Sequence, residues 1–546
     1  MDKPIIFLII DSVRSFKTGL DDRDRLKVMD DFSKDSIEFT NAYCSAPSSV
    51  MSASSMFTGI CSAYIARNYQ DWVFKDKEIS SIQSILKKES YSIVSIDNSK
   101  ESREMMSSLT MPLKKKFFPK GISHADFWTN KDLCKILKNI FTNHNPKKKT
   151  FFMLWFDCRE DPNTSKHVQE ALDIFKENGF YDDSIIFMAA DHGYPSPKSG
   201  LNKENMKGIG HDMIITEDTI KIPLFLKYPN CSPKKVNTLV SNIDLTPTVL
   251  DILKIDKDRL SLKSEGISLL ESIENDNTDR IVRIDTRLLS QNNRIIALRL
   301  KNYKFIFYVD QVKYELYDLI KDPNELKPEK ITSQNQIIFD ELKEKLNETE
   351  KLINEYHRDA IAKNIILLKD KLLKSKNILI KNKIPLSLFE IIISEINNIN
   401  SNLDVYHIND DFITSNKKNH LINLEIKTDL KNFDLAFIIL EKTNYSFVPQ
   451  TINTLKNKIK KVMYFDFNMQ NLNPIISKWF WPIWKYSLNK NFYKEEPKLI
   501  LIDLLKIIKT VMFRYVHKKE HKIDIYQEKQ MRDRAISNEK ISNPKL

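Results

Sequence analysis

The chain has 546 residues, 41% of them hydrophobic and 29% charged, with a formal net charge of +12. Its length exceeds what one hydrophobic core supports, so two domains are expected, and its composition excludes a disordered, collagenous or membrane-embedded protein. The positive charge comes from lysine spread along the whole chain; it fits an anionic substrate or a membrane surface, but with no arginine stripe interleaved with aromatics it reads first as a lysine-rich composition, and nucleic acid is not an expected partner.

Met1-Asp2-Lys3-Pro4 runs directly into the apolar stretch Ile5 to Ile10, which closes on Asp11. That stretch is too short for a signal h-region, and the chain has no window of about 20 uninterrupted apolar residues, so neither a secretory signal nor a transmembrane helix is expected. Cys44, Cys61, Cys134, Cys158 and Cys231 are odd in number and in no CxxC spacing. They exclude a disulfide framework and a cysteine-based zinc site and suit a reducing compartment, so a cytoplasmic location is expected.

A continuous apolar run ending on a polar residue reads as a strand buried on both faces. Similar runs follow at Thr150 to Phe156, Ser184 to Ala189 and Ile222 to Leu226, with helical patterns between them such as Val168 to Asn178. The alternation predicts an α/β domain with a mostly parallel sheet over residues 1–340, whose ligands sit at the C-terminal ends of its strands. Residues 341–375 are Glu/Lys/Leu-rich with helical spacing and read as a connecting helix. Strand-like runs at Lys376 to Lys381, Leu403 to Ile408, Phe433 to Leu440 and Lys461 to Phe467 then predict a second, Rossmann-like α/β unit over 376–516. Trp479 to Trp484 with Leu499 to Val516 read as a buried aromatic cluster and a core helix, favoured over a membrane contact. The charged tail 517–546 is expected to be disordered.

Three polar clusters follow strand-like runs: Asp11 to Arg14, the turn Ala46-Pro47-Ser48-Ser49 before a small-residue helix ending at Gly59, and Asp191-His192-Gly193 with His211 downstream. Each alone has an ordinary explanation. An aspartate at a strand end commonly caps a turn, and serines at a helix start commonly cap its orphan amides.

Their order and spacing resemble a known family. Ile9-Ile10-Asp11-Ser12-Val13-Arg14, Phe39-Thr40-Asn41-Ala42-Tyr43 and the Ala46 to Gly59 segment resemble, in turn, the opening strand, the next strand and the nucleophile helix of the sulfatase-like branch of the alkaline phosphatase superfamily. Ala190-Asp191-His192-Gly193 and Gly210-His211 with Glu217, Pro223 and Pro229 continue the resemblance. Ile243 to Asp251 and Glu315 to Leu319 with Asp322, Pro323 and Glu325 complete it, collinear from residue 4 to about 328. The resemblance implies an alkaline-phosphatase-like sheet flanked by helices. It makes Ser49, ten residues before Gly59, the nucleophile. It implies that Asp11, Ser49, Asp191, His192 and His211 surround a divalent metal, with His211 touching a second metal or a substrate oxygen. Two carboxylates with imidazoles favour zinc or manganese over calcium. The implied substrate is an anionic ester, glycan- or lipid-linked among the options.

Two departures narrow that chemistry. Sulfatases that make formylglycine need proline or alanine two residues after the modified residue and arginine four after it, and here those positions are Met51 and Ala53. An unmodified serine is expected, as in relatives that handle phosphate esters or transfer phospho-groups. The histidine that relatives carry after the strand ending at Phe156 is missing, and Asp157 is either a ligand or the ion-pair partner of Arg159. Arg14 is expected to pair locally, and Asp244, Thr248, Asp318 and Asp322 to be structural. The alternative is a degenerate sulfatase-like scaffold fused to a glycan-related domain, since Phe433 to Ile438 and Lys461 to Phe465 resemble half of a nucleotide-sugar glycosyltransferase without its Gly-rich loop.

Overall fold

The computed structural model describes residues 3–19, 23–65, 80–97, 129–158, 161–196, 211–260, 264–275, 279–286, 294–309, 311–374, 377–381, 386–399, 401, 404–409, 412–415, 435–439 and 462–465. The chain divides into two compact units, one of Met1–Asn205 with Gly210–His357 and the other of Met206–Ile209 with Arg358–Leu546.

The first unit is built on β1 (Ile5–Asp11), β2 (Ile37–Phe39), β3 (Ala42–Tyr43), β4 (Ser92–Asp97), β5 (Thr150–Asp157), β6 (Ile185–Ala190), β7 (Leu224–Lys227), β8 (Lys234–Val236) and β9 (Val240–Ser241). Seven of these form one sheet in the order β4-β5-β1-β6-β7-β2-β8. β4, β5, β1 and β6 run parallel, while β7 is antiparallel to both β6 and β2. β1, β5 and β6 are buried along their whole lengths, as strands covered by helices on both faces must be.

Phe7 shows how the layers are fastened. Its ring meets Phe151 and Phe187 edge-on at 5.1 Å each, within the sheet. It also stacks at 6.3 Å on Phe57 of the Ser49–Thr58 helix, which seats that helix on the sheet. Each such buried ring stabilises the fold by about 1.5–3 kcal/mol relative to exposure. Registers Ile10↔Phe156 and Ile10↔Ala190 bring the C-terminal ends of the three central strands level.

The segment Phe39 to Tyr43, expected as one strand, is two. Thr40 donates from its backbone N–H to the Val236 carbonyl, and the Asn41 amide donates to the Asn237 carbonyl, so the chain turns between β2 and β3.

An antiparallel sheet, β10 (Ile281–Asp285), β11 (Ile295–Leu300), β12 (Tyr303–Tyr308) and β13 (Lys313–Asp318), completes the first unit. The helix Gln336–Ile366 covers it, with Leu342 and Leu346 packed among Leu298, Phe305 and Leu316.

In the second unit β14 (Asn377–Lys381), β15 (Asp404–Asn409), β16 (Phe412–Ser415), β17 (Leu435–Ile439) and β18 (Val462–Phe465) are ordered β16-β15-β14-β17-β18. All pairs are parallel except β15 with β16. The helix Leu386–Ile399 joins β14 to β15 as a βαβ crossover. Each strand-like run expected beyond residue 375 overlaps a strand, and β16 adds one that was not expected. Arg159, Gly208, Gly210, the Trp479 to Trp484 segment, Leu499 to Val516 and the tail from His517 lie outside the described residues. Among the described residues no helix is long and apolar enough to cross a membrane.

Candidate active site and metal centre

Asp11 is the last residue of β1, and Asp191 and His192 follow directly on β6, the strand beside it. Ser49 is the first residue of the helix that Phe57 seats on the same sheet. The level strand ends therefore gather these four side chains at one edge. Ser49 Oγ lies 3.1 Å from His192 Nε2 and 3.4 Å from Asp11 Oδ2. One ligand atom from each of Asp11, Asp191 and His192 lies within 4.8 Å of the others, and all three residues are buried.

Ser48 precedes the helix in extended conformation, and its side chain makes no capping bond. The serines at this helix start are thus not explained by capping.

Ser12 links the two carboxylates. Its hydroxyl donates to Asp11 Oδ1 at 2.5 Å and its N–H donates to Asp191 Oδ1 at 3.0 Å. It does so from a left-handed backbone with φ of 63°, a conformation costing a non-glycine residue on the order of 1 kcal/mol. The His192 N–H also donates to Asp191 Oδ1, at 2.8 Å, while Asp191 Oδ2 is buried and makes no hydrogen bond of ordinary geometry. Burial, and then the neighbouring Asp11 charge, push the Asp191 carboxyl well above its usual range.

The His192 tautomer follows from its neighbours. Nδ1 lies 2.7 Å from the Gly193 carbonyl oxygen, and only a protonated Nδ1 can donate there. Nε2 faces Ser49 Oγ and, at 3.4 Å, Asp191 Oδ2. Two carboxylates held side by side, a buried carboxylate oxygen without a hydrogen bond of ordinary geometry and an imidazole oriented through Nδ1 together fit a divalent cation.

His211 stacks on His192 with ring centroids 4.7 Å apart, and Tyr194 lies 5.7 Å from His211 on a tilted plane. Arg14 is fully buried and clamps the chain just past His192. It donates to the carbonyls of Tyr194 at 2.7 Å and Pro195 at 3.2 Å, and pairs with Asp24 at 3.0 Å. Gly193 is demanded by close approach, because a Cβ there would stand 2.1 Å from the Asp218 carbonyl oxygen. Asp157 is the register partner of Asp11 across β1 and β5, and its backbone is held by Asn130.

The remaining signature residues are scaffold. Asp244 takes a bidentate pair from Arg280 at 2.6 and 2.7 Å plus the N–H groups of Ser241 and Ile267. Thr248 donates to the Asp244 carbonyl and accepts from Leu269. Asp318 and Asp322 cap turns, accepting from Ile320 and Lys327. Glu217 accepts from Tyr43 at 2.8 Å and lies 3.4 Å from Arg299 and 3.6 Å from Lys304, which also pairs with Glu325.

Sequence reasoning passed over Ser12, Ser52, Tyr194 and Asn242. The helix is buried from Val50 to Thr58, so the Ser52 hydroxyl must find a partner within the fold. Its Oγ donates to the Asp191 carbonyl at 2.6 Å.

Comparison with known proteins bears on the fold and on part of the sequence. The sulfatase family model matches residues 162–255, and the model of the C-terminal part of N-sulphoglucosamine sulphohydrolase matches 210–352. Choline-sulfatase of Rhizobium meliloti (strain 1021) is 24% identical over 159 residues, 29% of this chain and 29% of that protein. Lipoteichoic acid synthase 2 of Bacillus subtilis (strain 168) is 28% identical over 181 residues, 31% of this chain and 25% of that protein. These matches thus span less than a third of either relative's own length. Among solved structures, a protein from Bacteroides thetaiotaomicron VPI-5482 assigned to the sulfatases superimposes with a TM-score of 0.51 at 15% identity, covering 66% of this chain and 94% of that one. A 2-O GAG sulfatase superimposes with a TM-score of 0.50 at 15% identity, covering 65% of this chain and 94% of that one. At that identity they speak for the fold. Sulfatase-family models thus match this chain between residues 162 and 352, and its fold is that of solved sulfatases.

Proposed function

We propose that the first unit is a metal-dependent hydrolase or phospho-group transferase acting on phosphate esters, with Ser49 as nucleophile. The observation that carries this reading is the Ser49 hydroxyl, 3.1 Å from His192 Nε2 and 3.4 Å from Asp11 Oδ2 at the edge of a buried acidic group. Asp11, Asp191, His192 and the Ser49 oxygen would hold the cation. Zinc or manganese suits this mixed oxygen and nitrogen set better than calcium. Bound there, a divalent cation lowers the pKa of the serine hydroxyl and offsets the charge of an anionic ester.

Ser49 attacks the phosphorus, the alcohol leaves opposite to it, and a phosphoserine forms. Water or an acceptor hydroxyl then takes the phospho-group and frees Ser49. The helix that begins at Ser49 directs its first N–H groups toward the anion being transferred. His211, which stacks on His192, would contact a non-bridging oxygen. Phosphate is favoured over sulfate because Met51 and Ala53 replace the residues that formylglycine formation requires. An unmodified serine ester of phosphate can be resolved by attack at phosphorus.

The test is a panel of phosphomonoesters, phosphodiesters and sulfate esters with Zn²⁺ or Mn²⁺. Ser49→Ala is expected to lower turnover at least 1000-fold, on the order found when other enzymes lose their nucleophile, with an unchanged thermal midpoint. Chelation is expected to remove activity and added metal to restore it. A folded, metal-free chain inert toward the whole panel would favour the degenerate scaffold.

A further inference from the structure

We infer that Ser52 and Asn242 are positioning residues of the metal centre, fixing the nucleophile helix to the backbone of Asp191 and so setting the gap between Ser49 and the ligands. The inference rests on the metal-centre reading above and adds two residues that touch neither metal nor substrate.

Ser52 stands one turn after Ser49, on the same side of the helix. A hydroxyl inside a helix ordinarily donates to the carbonyl four residues back. Ser54 and Thr58 of this helix do so, to Val50 and Ser54, both at 2.7 Å. Ser52 does not. Its Oγ leaves the helix and donates at 2.6 Å to the Asp191 carbonyl at the end of β6. The same Oγ accepts from Asn242 Nδ2 at 2.7 Å, and Asn242 Oδ1 accepts the Ser45 N–H at 3.0 Å. Ser52 and Asn242 are fully buried, and the chain of bonds is satisfied at every link.

This chain spans the one gap on which the chemistry depends. The candidate ligands come from β1 and β6, whereas the Ser49 oxygen comes from a separate helix. Asp191 is held on its carboxylate by the N–H groups of Ser12 and His192, and on its carbonyl by Ser52. Removing the Ser52 hydroxyl leaves the Asp191 carbonyl and the Asn242 amide without that partner and frees the helix start to shift. The distance that moves is the 3.1 Å from Ser49 Oγ to His192 Nε2. The far end of the same helix has its own fastening, Thr246 Oγ1 donating to the Met56 carbonyl at 2.7 Å, which provides a matched control.

The test is calorimetric titration of Mn²⁺ into the metal-free full chain, with a thermal midpoint for every variant. Ser52→Ala and Asn242→Ala are expected to weaken Mn²⁺ binding by about 10-fold to 100-fold, the usual effect of removing outer partners of a metal site. Thr246→Val, which deletes a buried bond of similar length to the far end of the same helix, is expected to lower the midpoint similarly and to keep wild-type affinity. Wild-type Mn²⁺ affinity in Ser52→Ala or Asn242→Ala would overturn the inference, as would equal weakening by Thr246→Val. A wild-type chain that takes up neither Mn²⁺ nor Zn²⁺ is a separate failure, which overturns the metal-centre reading itself.

Discussion

Two buried polar clusters in the first unit are both built from family-signature residues, yet they are opposite in kind. In one, Glu217 and Glu325 face Arg299 and Lys304 with the Tyr43 hydroxyl between, each carboxylate meeting a cation. Burial raises the Glu217 carboxyl, but Arg299 and Lys304 outweigh it and hold the group below its usual range. In the other, Asp191 faces a second carboxylate, and burial with that neighbour drives it upward. Every carboxylate of the first cluster has a cation within 4 Å, although Glu217 Oε1 makes no hydrogen bond of ordinary geometry and burial, with Glu217 nearby, raises the Glu325 carboxyl. The second is built as though a cation belonged to it. Charge pairing, more than motif membership, separates scaffold from site.

The largest expected effects come from neutralising one acid in each cluster. Asp191→Asn removes a buried like-charge contact together with a ligand. It is expected to lower Mn²⁺ affinity at least 100-fold while raising the thermal midpoint of the metal-free chain. Glu217→Gln leaves buried cations underpaired and is expected to cost about 3–5 kcal/mol of stability with metal affinity within about twofold of wild type. Calorimetry and urea unfolding read both. If the two variants behaved alike, the distinction between the clusters would fail.

A smaller effect should appear in acid, at a third cluster where Glu350 pairs with Arg283 and Arg294. Burial raises Glu350, but the two guanidinium groups prevail and lower it to about 2. A carboxyl depressed in the folded state contributes stability that is full above its unfolded value of about 4.3 and is lost as pH falls toward the folded one. Glu350→Gln is therefore expected to lower the urea midpoint at pH 7 and to flatten its decline between about pH 4.5 and 2. An equally steep acid limb in the variant would assign that decline to other groups.

The contrast also accounts for what the sequence made legible. Asp11, Asp191 and His192 stand directly after apolar runs and Ser49 lies in register with Gly59, but each alone reads as an ordinary cap or turn, and only the order and spacing of the family resemblance singled them out. The four apolar runs became β1, β5, β6 and β7 because strands buried on both faces carry an unbroken apolar signal. Ser52 and Asn242 carry no such signal. Their roles depend on partners 139 and 190 residues away that only the folded chain brings close. The β10–β13 sheet was hidden for a related reason. Arg299 and Lys304 are charged residues that an alternation rule turns toward water, whereas tertiary ion pairs bury them. Phe39 to Tyr43 failed as a single strand because Thr40 and Asn41 bond to the 236–237 segment instead.

The central claim is that one cation is shared by ligands from two strand ends and the hydroxyl of Ser49. Anomalous diffraction at the zinc edge from crystals of the full chain soaked in Zn²⁺ tests it most directly. The expected result is a single strong peak about 2.0–2.2 Å from oxygens of Asp11, Asp191 and Ser49 and from His192 Nε2. A peak bound elsewhere, or one at these ligands with the Ser49 oxygen out of coordination range, would contradict the account.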